Sequence, residues 1–207
     1  MAKLTYPLIL IALFPMVTGW VANAQNSDLG LLLGGIAPTN EVSTGGTGVR
    51  IQSSDGVAGQ VNYAYQLKGW PACDLYMEIP FFLAARTNSV VQGRGSTSSG
   101  TDNIGAVVPG VRLKVRLAGR ASVYAAAGAG IGWFGQQAVV TSPGNVLITD
   151  QTTATAAFDL GGGLDFRLTK LLSLRGEVRD VVTSTGSLSD SGRHNNPIYT
   201  FGFAFHF

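Results

Sequence analysis

Six charged residues are the side chains in this sequence best placed to do chemistry together: Glu78, Arg112, Asp165, Arg175, Glu177 and Arg179. Arg175, Glu177 and Arg179 stand at every second position, which is the side-chain period of one face of a β-strand. An ionised side chain removed from water is costly unless an opposite charge and hydrogen bonds satisfy it. If that face encloses a water-poor interior, we expect these acids and bases to form ion pairs.

One of these pairs follows from spacing. A turn at residues 169–171 places Asp165 directly opposite Arg175 on neighbouring antiparallel strands, and a turn one residue earlier places the two diagonally. Either geometry allows contact between the side chains. We therefore expect Asp165→Asn and Arg175→Met each to destabilise the protein, and the double change to recover much of the loss because no lone charge remains.

Three other motifs contain the residue types of a binding or catalytic site. The segment 130–135 matches G-x-G-x-x-G, but no helix pattern follows it to hold a pyrophosphate. His194 and His206 are not spaced to share a metal ion. The loop 190–194 contains Asp, Ser and His, but a hydrolase of the lipid A deacylase or omptin kind needs such groups to converge at one rim. The sequence therefore predicts no cofactor, no metal site and no catalytic residues.

Eight segments alternate apolar and polar residues in the manner of β-strands. They cover 29–36, 59–67, 74–83, 105–117, 122–133, 154–168, 172–182 and 199–207. Pro80 cannot donate to a β-ladder, so we expect a bulge or a strand end there. The connections are alternately long and short, at 37–55, 68–71, 86–103, 118–120, 136–152, 169–170 and 183–196. This pattern predicts an all-β fold, an eight-stranded antiparallel up-and-down barrel with long loops at one end and short turns at the other.

The side on which the polar face lies decides whether this barrel is soluble. Charged residues are 13% of the 207 residues, against a usual level of about 25%, so few charges are available to cover a water-facing surface. If the polar face pointed outward, segment 122–133 would offer water mostly Ala and Gly. If it points inward, those small residues make room for charged side chains in a narrow interior. We therefore predict a transmembrane barrel with aromatic girdles near the strand ends, including Trp70 and Trp133.

The first 24 residues have the features of a cleaved secretory signal peptide. A positively charged start and an apolar run precede Ala22 and Ala24, which form a small-x-small cleavage pattern before Gln25. The mature chain, 25–207, is then a single barrel domain without an apolar run of the ~18 residues that a spanning helix needs. A net charge of +2 with no basic runs argues against a nucleic-acid partner, and the single Cys73 excludes an internal disulfide.

Two segments carry a family resemblance. Residues 200–207 resemble the C-terminal assembly signal of bacterial outer-membrane barrels, through Thr200, Gly202, Phe205 and a terminal Phe207. Segment 161–179 is similar to the penultimate hairpin of the transmembrane domain of outer-membrane protein A. The similarity consists of a glycine-led strand with an acid beside an aromatic, a Thr at the turn and an Arg-x-Glu on the return.

This resemblance implies a location in the cell outer membrane. It also implies contact with outer-membrane lipid and lipopolysaccharide, insertion by the barrel-assembly machinery with periplasmic chaperones, and a monomeric barrel. In that family, lumen charges on strands three, four, six and seven exchange partners to open or close a narrow pore. The matching positions here are Glu78, Arg112, Asp165 and Arg175.

Three functions are compatible with the sequence. The first is a structural or narrow-pore barrel with a charge-paired lumen, and the second is an adhesion barrel that acts through its long extracellular loops. The third is a carrier of small apolar solutes of the OmpW-like kind. Loops rich in Ser, Thr and Gly argue mildly against a tight protein-binding surface, and a carrier needs an apolar lumen whereas this one is predicted to be charged. The structural or narrow-pore function is therefore expected.

Overall fold

The computed structural model describes residues 26–37, 43–44, 49–53, 55–92, 96–117, 119–142, 145–183 and 195–207. Within them lie eleven strand segments of one antiparallel sheet. They are β1 Ser27–Ile36, β2 Ser43–Thr44, β3 Val49–Ser53, β4 Gly56–Gly69, β5 Cys73–Gln92, β6 Ser96–Val107, β7 Gly110–Arg116, β8 Ala121–Ser142, β9 Asn145–Arg167, β10 Leu172–Thr183 and β11 Pro197–His206. Nowhere in this part of the chain is there a helix long and apolar enough to cross a membrane. The predicted cleavage residues Ala22, Ala24 and Gln25 and the loop 190–194 lie outside the described residues.

The sheet closes into a ring of eight strands among these residues. Each strand pairs with its neighbours in sequence, and β1 pairs with both β4 and β11, which joins the two ends of the chain. Segments β6 and β7 occupy one strand position, because both pair with β5 and with β8. The short segments β2 and β3 add to the sheet beyond the ring, where β3 pairs with β5. The predicted eight-stranded up-and-down barrel is confirmed.

The prediction of a bulge or strand end at Pro80 is wrong. The interruption lies instead in the neighbouring strand of the ring, between β6 and β7. Strand β5 continues through Pro80, which pairs with Asn62 of β4. On its other side, the carbonyl oxygen of Pro80 accepts from the backbone N–H of Val108 at 3.2 Å. Val108 and Pro109 lie between β6 and β7. Pro80, which has no backbone N–H, therefore faces the point where the neighbouring strand is interrupted, and no ladder hydrogen bond is lost there.

The long connections are shorter than predicted. The expected loops 86–103 and 136–152 are largely strand, and that prediction is wrong for both. Alternation is required only where one face of a strand is buried, so a strand that continues beyond the barrel wall can consist of Ser, Thr and Gly without it. The β5–β6 and β8–β9 hairpins run on to the pairs Gln92 with Ser96 and Ser142 with Asn145.

The outer surface of the barrel is apolar. Leu33, Ile131 and Leu160 are 76%, 62% and 68% exposed, and the strands present many further large apolar side chains in the same way. Exposed aromatic residues lie toward both ends, Phe158 and Tyr199 at the long-hairpin end and Trp70, Phe166 and Phe207 at the short-turn end. An apolar band between aromatic girdles is the surface that a barrel presents to lipid. Because such barrels have short periplasmic turns, the long hairpins extend to the cell exterior.

Candidate functional site in the barrel lumen

The lumen toward the short turns is filled by charged side chains. Nine buried members among the described residues form what we call the charge cluster: Asp28, Glu78, Arg112, Lys114, Asp159, Asp165, Arg175, Glu177 and Arg179. Alternate positions on β1, β5, β7, β9 and β10 point these side chains inward. The cluster contains four bases and five acids, so nearly every charge can have an opposite neighbour.

Arg175 of β10 joins two acids, Asp165 of the adjacent β9 and Asp28 of β1, two strands away on the other side. The strand register places it directly opposite Asp165, as a turn at 169–171 predicts. Its Nε donates to Asp165 Oδ1 at 2.7 Å, while Nη1 and Nη2 donate to the Asp28 carboxylate at 3.0 and 2.6 Å. Lys114 Nζ donates to Asp165 Oδ2 at 2.6 Å. Arg175 is fully buried, so these two carboxylates are what compensates its charge.

Glu78 joins two arginines in the same way. Arg112 Nε donates to Glu78 Oε2 at 2.6 Å, and Arg179 Nη2 lies 2.6 Å from Oε1. Arg112 Nη1 also lies 3.4 Å from Asp28 Oδ2. Arg112 therefore connects the Glu78 pairs to the pairs around Arg175, and the charge cluster is one continuous network.

Arg179 completes the part of this network that lies toward the long hairpins. It contacts the carboxylates of Asp159 and Glu177 as well as Glu78. Two amides from β4 also donate to Glu177, Gln60 Nε2 at 3.3 Å and Asn62 Nδ2 at 3.1 Å. The remaining lone pairs of a buried carboxylate are thus hydrogen-bonded, which is the condition for keeping it charged away from water.

Tyr124 packs between two guanidinium groups of the charge cluster. Its ring centre lies 4.9 Å from Arg112 Cζ and 5.3 Å from Arg175 Cζ, so the ring face stabilises both cations. The space for this ring depends on Gly163, because a Cβ added there would overlap the Tyr124 hydroxyl group. The β9 glycines Gly161 and Gly163 therefore make room for Arg179 and Tyr124, which stand on the two strands paired with β9.

A Ser, a His and an Asp meet at the periplasmic end of the lumen. Ser173 Oγ lies 2.7 Å from His206 Nε2, and His206 Nδ1 lies 3.7 Å from Asp28 Oδ2. The second distance is too long for the hydrogen bond that orients a catalytic histidine, and Asp28 is already bound by Arg175. Ser173 is only 2% exposed. We therefore assign these groups to the packing of the lumen. No group that could hold a metal ion is found within the described residues.

The lumen toward the long hairpins is mainly apolar, with Thr183 and Asn196 as buried polar side chains. Its buried apolar residues, which we call the apolar cluster, are Ile36, Ala58, Phe82, Ala84, Ile104, Ala106, Val108, Phe134, Ala157, Val181 and Ile198. The predicted charged lumen therefore describes only the half toward the short turns. Phe82 and Phe134, the two rings of the cluster, are 1% and 6% exposed. Arg179 connects the two layers, because its guanidinium carbon lies 5.9 Å from the centre of the Phe82 ring.

The four residues that resemble an assembly signal lie on β11 and directly after it. Phe205 and Phe207 are 43% and 41% exposed on the lipid face, whereas Thr200 is buried and donates to Gln60 Oε1 at 3.1 Å. A Cβ at Gly202 would overlap the Leu31 carbonyl group of the adjacent strand β1. A role of these residues in assembly remains a prediction.

Three members of the charge cluster were not among the six residues singled out from the sequence. Lys114 and Asp159 stand on the polar faces of predicted strands, so the period of two already indicated their position. Asp28 lies one residue before the predicted start of the first strand, and its contact with Arg175 joins residues 147 positions apart. Only the closure of the ring brings these two together.

Comparison with solved structures finds similarity to several other barrels. The barrel of OprG from Pseudomonas aeruginosa is similar in structure, with a TM-score of 0.52, 13% identity, and coverage of 89% of this chain and 99% of that chain. Ail, the attachment invasion locus protein of Yersinia pestis, has a TM-score of 0.47 at 13% identity over 88% of this chain and 99% of that chain. Neisserial surface protein A has a TM-score of 0.45 at 9% identity over 89% and 98%. No curated protein matches the chain in sequence.

The family model described as the outer membrane protein beta-barrel domain matches residues 9–207. This range includes every strand of the ring. The chain therefore belongs to the outer membrane protein beta-barrel family and is a protein of the bacterial outer membrane.

Proposed function

We propose that this protein is a structural outer-membrane barrel whose lumen is sealed in its resting state. The observation that carries the proposal is the stacking of two barriers in one narrow lumen. The charge cluster fills the periplasmic half with paired acids and bases, and the apolar cluster fills the outer half with buried side chains. An eight-stranded interior is only wide enough to be filled by its own side chains.

Each layer opposes the passage of ions for a different physical reason. An ion entering the charge cluster must separate partners such as Arg175 and Asp165, whose atoms lie 2.7 Å apart. An ion entering the apolar cluster loses its hydration and meets few polar groups, Thr183 and Asn196 among them, so its entry is costly. A rearrangement of ion pairs alone would leave the apolar layer closed. The outer-membrane protein A type of partner exchange is therefore not sufficient to open this lumen.

Potassium flux from proteoliposomes tests the sealed lumen. We expect vesicles that contain the folded protein to lose potassium no faster than protein-free vesicles, with a general porin as the positive control. Folding is checked by the gel shift on heating. Steady flux through the folded wild-type protein would favour a narrow pore instead.

A second candidate function is surface interaction, and the extended sheet outside the membrane favours it. The pairing of β8 with β9 continues as far as Ser142 and Asn145. The pairing of β9 with β10 runs from Arg167 to Ala157. From residue 156 back to residue 145, the described residues show β9 paired only with β8. A strand with one unpaired edge can accept a strand of another protein.

Shortening the β8–β9 hairpin tests this second function. Removal of residues 137–150 should leave the ring and its heat-dependent gel shift intact, because β9 keeps all its pairs with β10, which end at Ala157, and β6 keeps its pairs with β8 from Asp102–Gln136 to Val107–Ile131. If the hairpin is an interaction surface, cells that display the shortened protein should adhere less to immobilised extracellular-matrix proteins than cells that display the wild type. Equal adhesion of both, at equal surface levels, would remove support for the second function.

A further inference from the structure

The part of the charge cluster around Arg179 contains one acid more than it has bases. Two bases face three acids there, namely Arg112 and Arg179 against Glu78, Asp159 and Glu177. The part around Arg175 is balanced, with two bases and two acids: Lys114, Arg175, Asp28 and Asp165. Among the described members of the cluster, one carboxyl group beside Arg179 is therefore in excess of the bases.

Two of the three acids around Arg179 have a donor at each oxygen. Glu78 Oε2 accepts from Arg112 Nε at 2.6 Å, and Arg179 Nη2 lies 2.6 Å from Glu78 Oε1. Glu177 contacts Arg179 through Oε1 and accepts from Asn62 Nδ2 at 3.1 Å through Oε2. A proton on any of these four oxygens would point at another N–H donor. The contacts therefore hold Glu78 and Glu177 as carboxylates.

Asp159 differs from these two acids because only one of its oxygens has a donor. Its Oδ2 contacts Nη1 of Arg179, whereas its Oδ1 is buried without a hydrogen-bond partner among the described residues. Asp159 is 3% exposed, and the residue directly opposite it on β8 is Gly128, which has no side chain. The charged groups that act on it are Arg179 and Glu177 from β10 and Glu78 from β5. A bare charge on the Oδ1 side would thus meet neither water nor a second base.

We infer that the lumen holds one proton on Asp159 Oδ1, so that Asp159 is a neutral carboxylic acid in the folded protein. A buried acid without sufficient compensation takes up a proton because an isolated charge costs far more than a neutral polar group. The proton balances the excess acid and leaves Oδ2 free to accept from Arg179. Ala157, the next lumen-facing residue of β9, already belongs to the apolar cluster. The proton therefore keeps uncompensated charge away from the boundary between the two clusters, whether or not the lumen conducts ions.

Infrared spectroscopy of the full folded protein detects this proton. A protonated carboxyl group has a C=O stretching band that is separate from the bands of carboxylates and of the backbone. The protein is folded into vesicles of ether-linked lipids, which have no ester carbonyl group. At neutral pH we expect one such band, which shifts when the aspartate side chains carry carbon-13 and stays when the glutamate side chains carry it. A missing band, as would result from a proton on His206, or a band that shifts with the glutamate label, overturns the inference without any variant.

Variants then locate the proton. Asp159→Asn has the shape of the neutral acid, so it should fold and lose the band. Asp55→Asn removes an exposed acid and should leave the band unchanged. A band that persists in folded Asp159→Asn would assign the proton to another aspartate, and the inference would be wrong.

The pH dependence of stability gives a second readout. The unfolded chain leaves this carboxyl group ionised at neutral pH, so the folded state holds one proton more and its stability must fall as the pH rises. Asp159→Asn has no such proton. In urea unfolding from weakly acidic to neutral pH, the unfolding equilibrium constant of the wild type should rise about tenfold more per pH unit than that of Asp159→Asn. A difference between the two proteins that stays constant with pH would contradict the inference.

Discussion

Arg175→Met is expected to lower the free energy of unfolding by about 3 to 5 kcal/mol. Arg175 is fully buried and donates to the carboxylates of both Asp28 and Asp165. After the change, Asp165 keeps its bond from Lys114 at 2.6 Å, whereas Asp28 keeps only the longer contacts with Arg112 at 3.4 Å and His206 at 3.7 Å. The large cost arises because one carboxylate is left in a water-poor lumen with no close partner.

The structure identifies which second change should restore stability. The sequence predicts recovery by Asp165→Asn, but that change would also deprive Lys114 of its acid. Asp28→Asn instead removes the carboxylate that Arg175 abandons and leaves the Lys114 pair intact. We therefore expect Arg175→Met with Asp28→Asn to be more stable than Arg175→Met with Asp165→Asn.

Urea unfolding in lipid vesicles, followed by tryptophan fluorescence and by gel mobility, measures this series. The coupling energy between Arg175 and each acid comes from the double-mutant cycles. Coupling below about 0.5 kcal/mol for both acids would show that these side chains do not meet. A better recovery with Asp165→Asn than with Asp28→Asn would contradict the contacts described for Asp28.

Removal of the two rings of the apolar cluster is the second change with a large expected effect. Phe82→Ala and Phe134→Ala should each cost about 3 to 5 kcal/mol, because each leaves a cavity among buried neighbours. Together they should let water reach the charge cluster from the outer side. In vesicles where the double variant still shows the gel shift of a folded barrel, we expect measurable potassium flux.

Phe158→Ala is the matched control for this change. Phe158 is 53% exposed on the lipid-facing surface, so its removal deletes a ring of the same size without touching the lumen. It should cost less stability and leave the barrel sealed. Equal flux in the control and in the Phe82 and Phe134 double variant would show that flux reports a damaged barrel wall rather than an opened lumen.

Strand number and the direction of the two faces could be predicted because both depend on local alternation. Leu31 and Leu33 on one face and Arg175, Glu177 and Arg179 on the other follow from a period of two. The pairing of Asp165 with Arg175 was also predictable, because a tight turn fixes the register of two neighbouring strands.

Features that depend on the closed ring or on the medium could not be predicted. The contact between Asp28 of β1 and Arg175 of β10 spans β11, so it depends on the closure of the ring rather than on any turn. The extended β8–β9 hairpin carries little alternation, so a search for a period of two does not find it. The apolar half of the lumen was missed because Phe82 stands on a face that elsewhere carries Asp74 and Glu78, and because Phe134 lies just beyond the predicted segment 122–133.

Single-channel recording in planar bilayers tests the sealed lumen most directly. The folded wild-type protein should insert without producing steady current steps in concentrated potassium chloride, and the Phe82→Ala with Phe134→Ala variant should produce them under the same conditions. Steady current steps from the wild-type protein, of the same size as those from the double variant, would contradict the account.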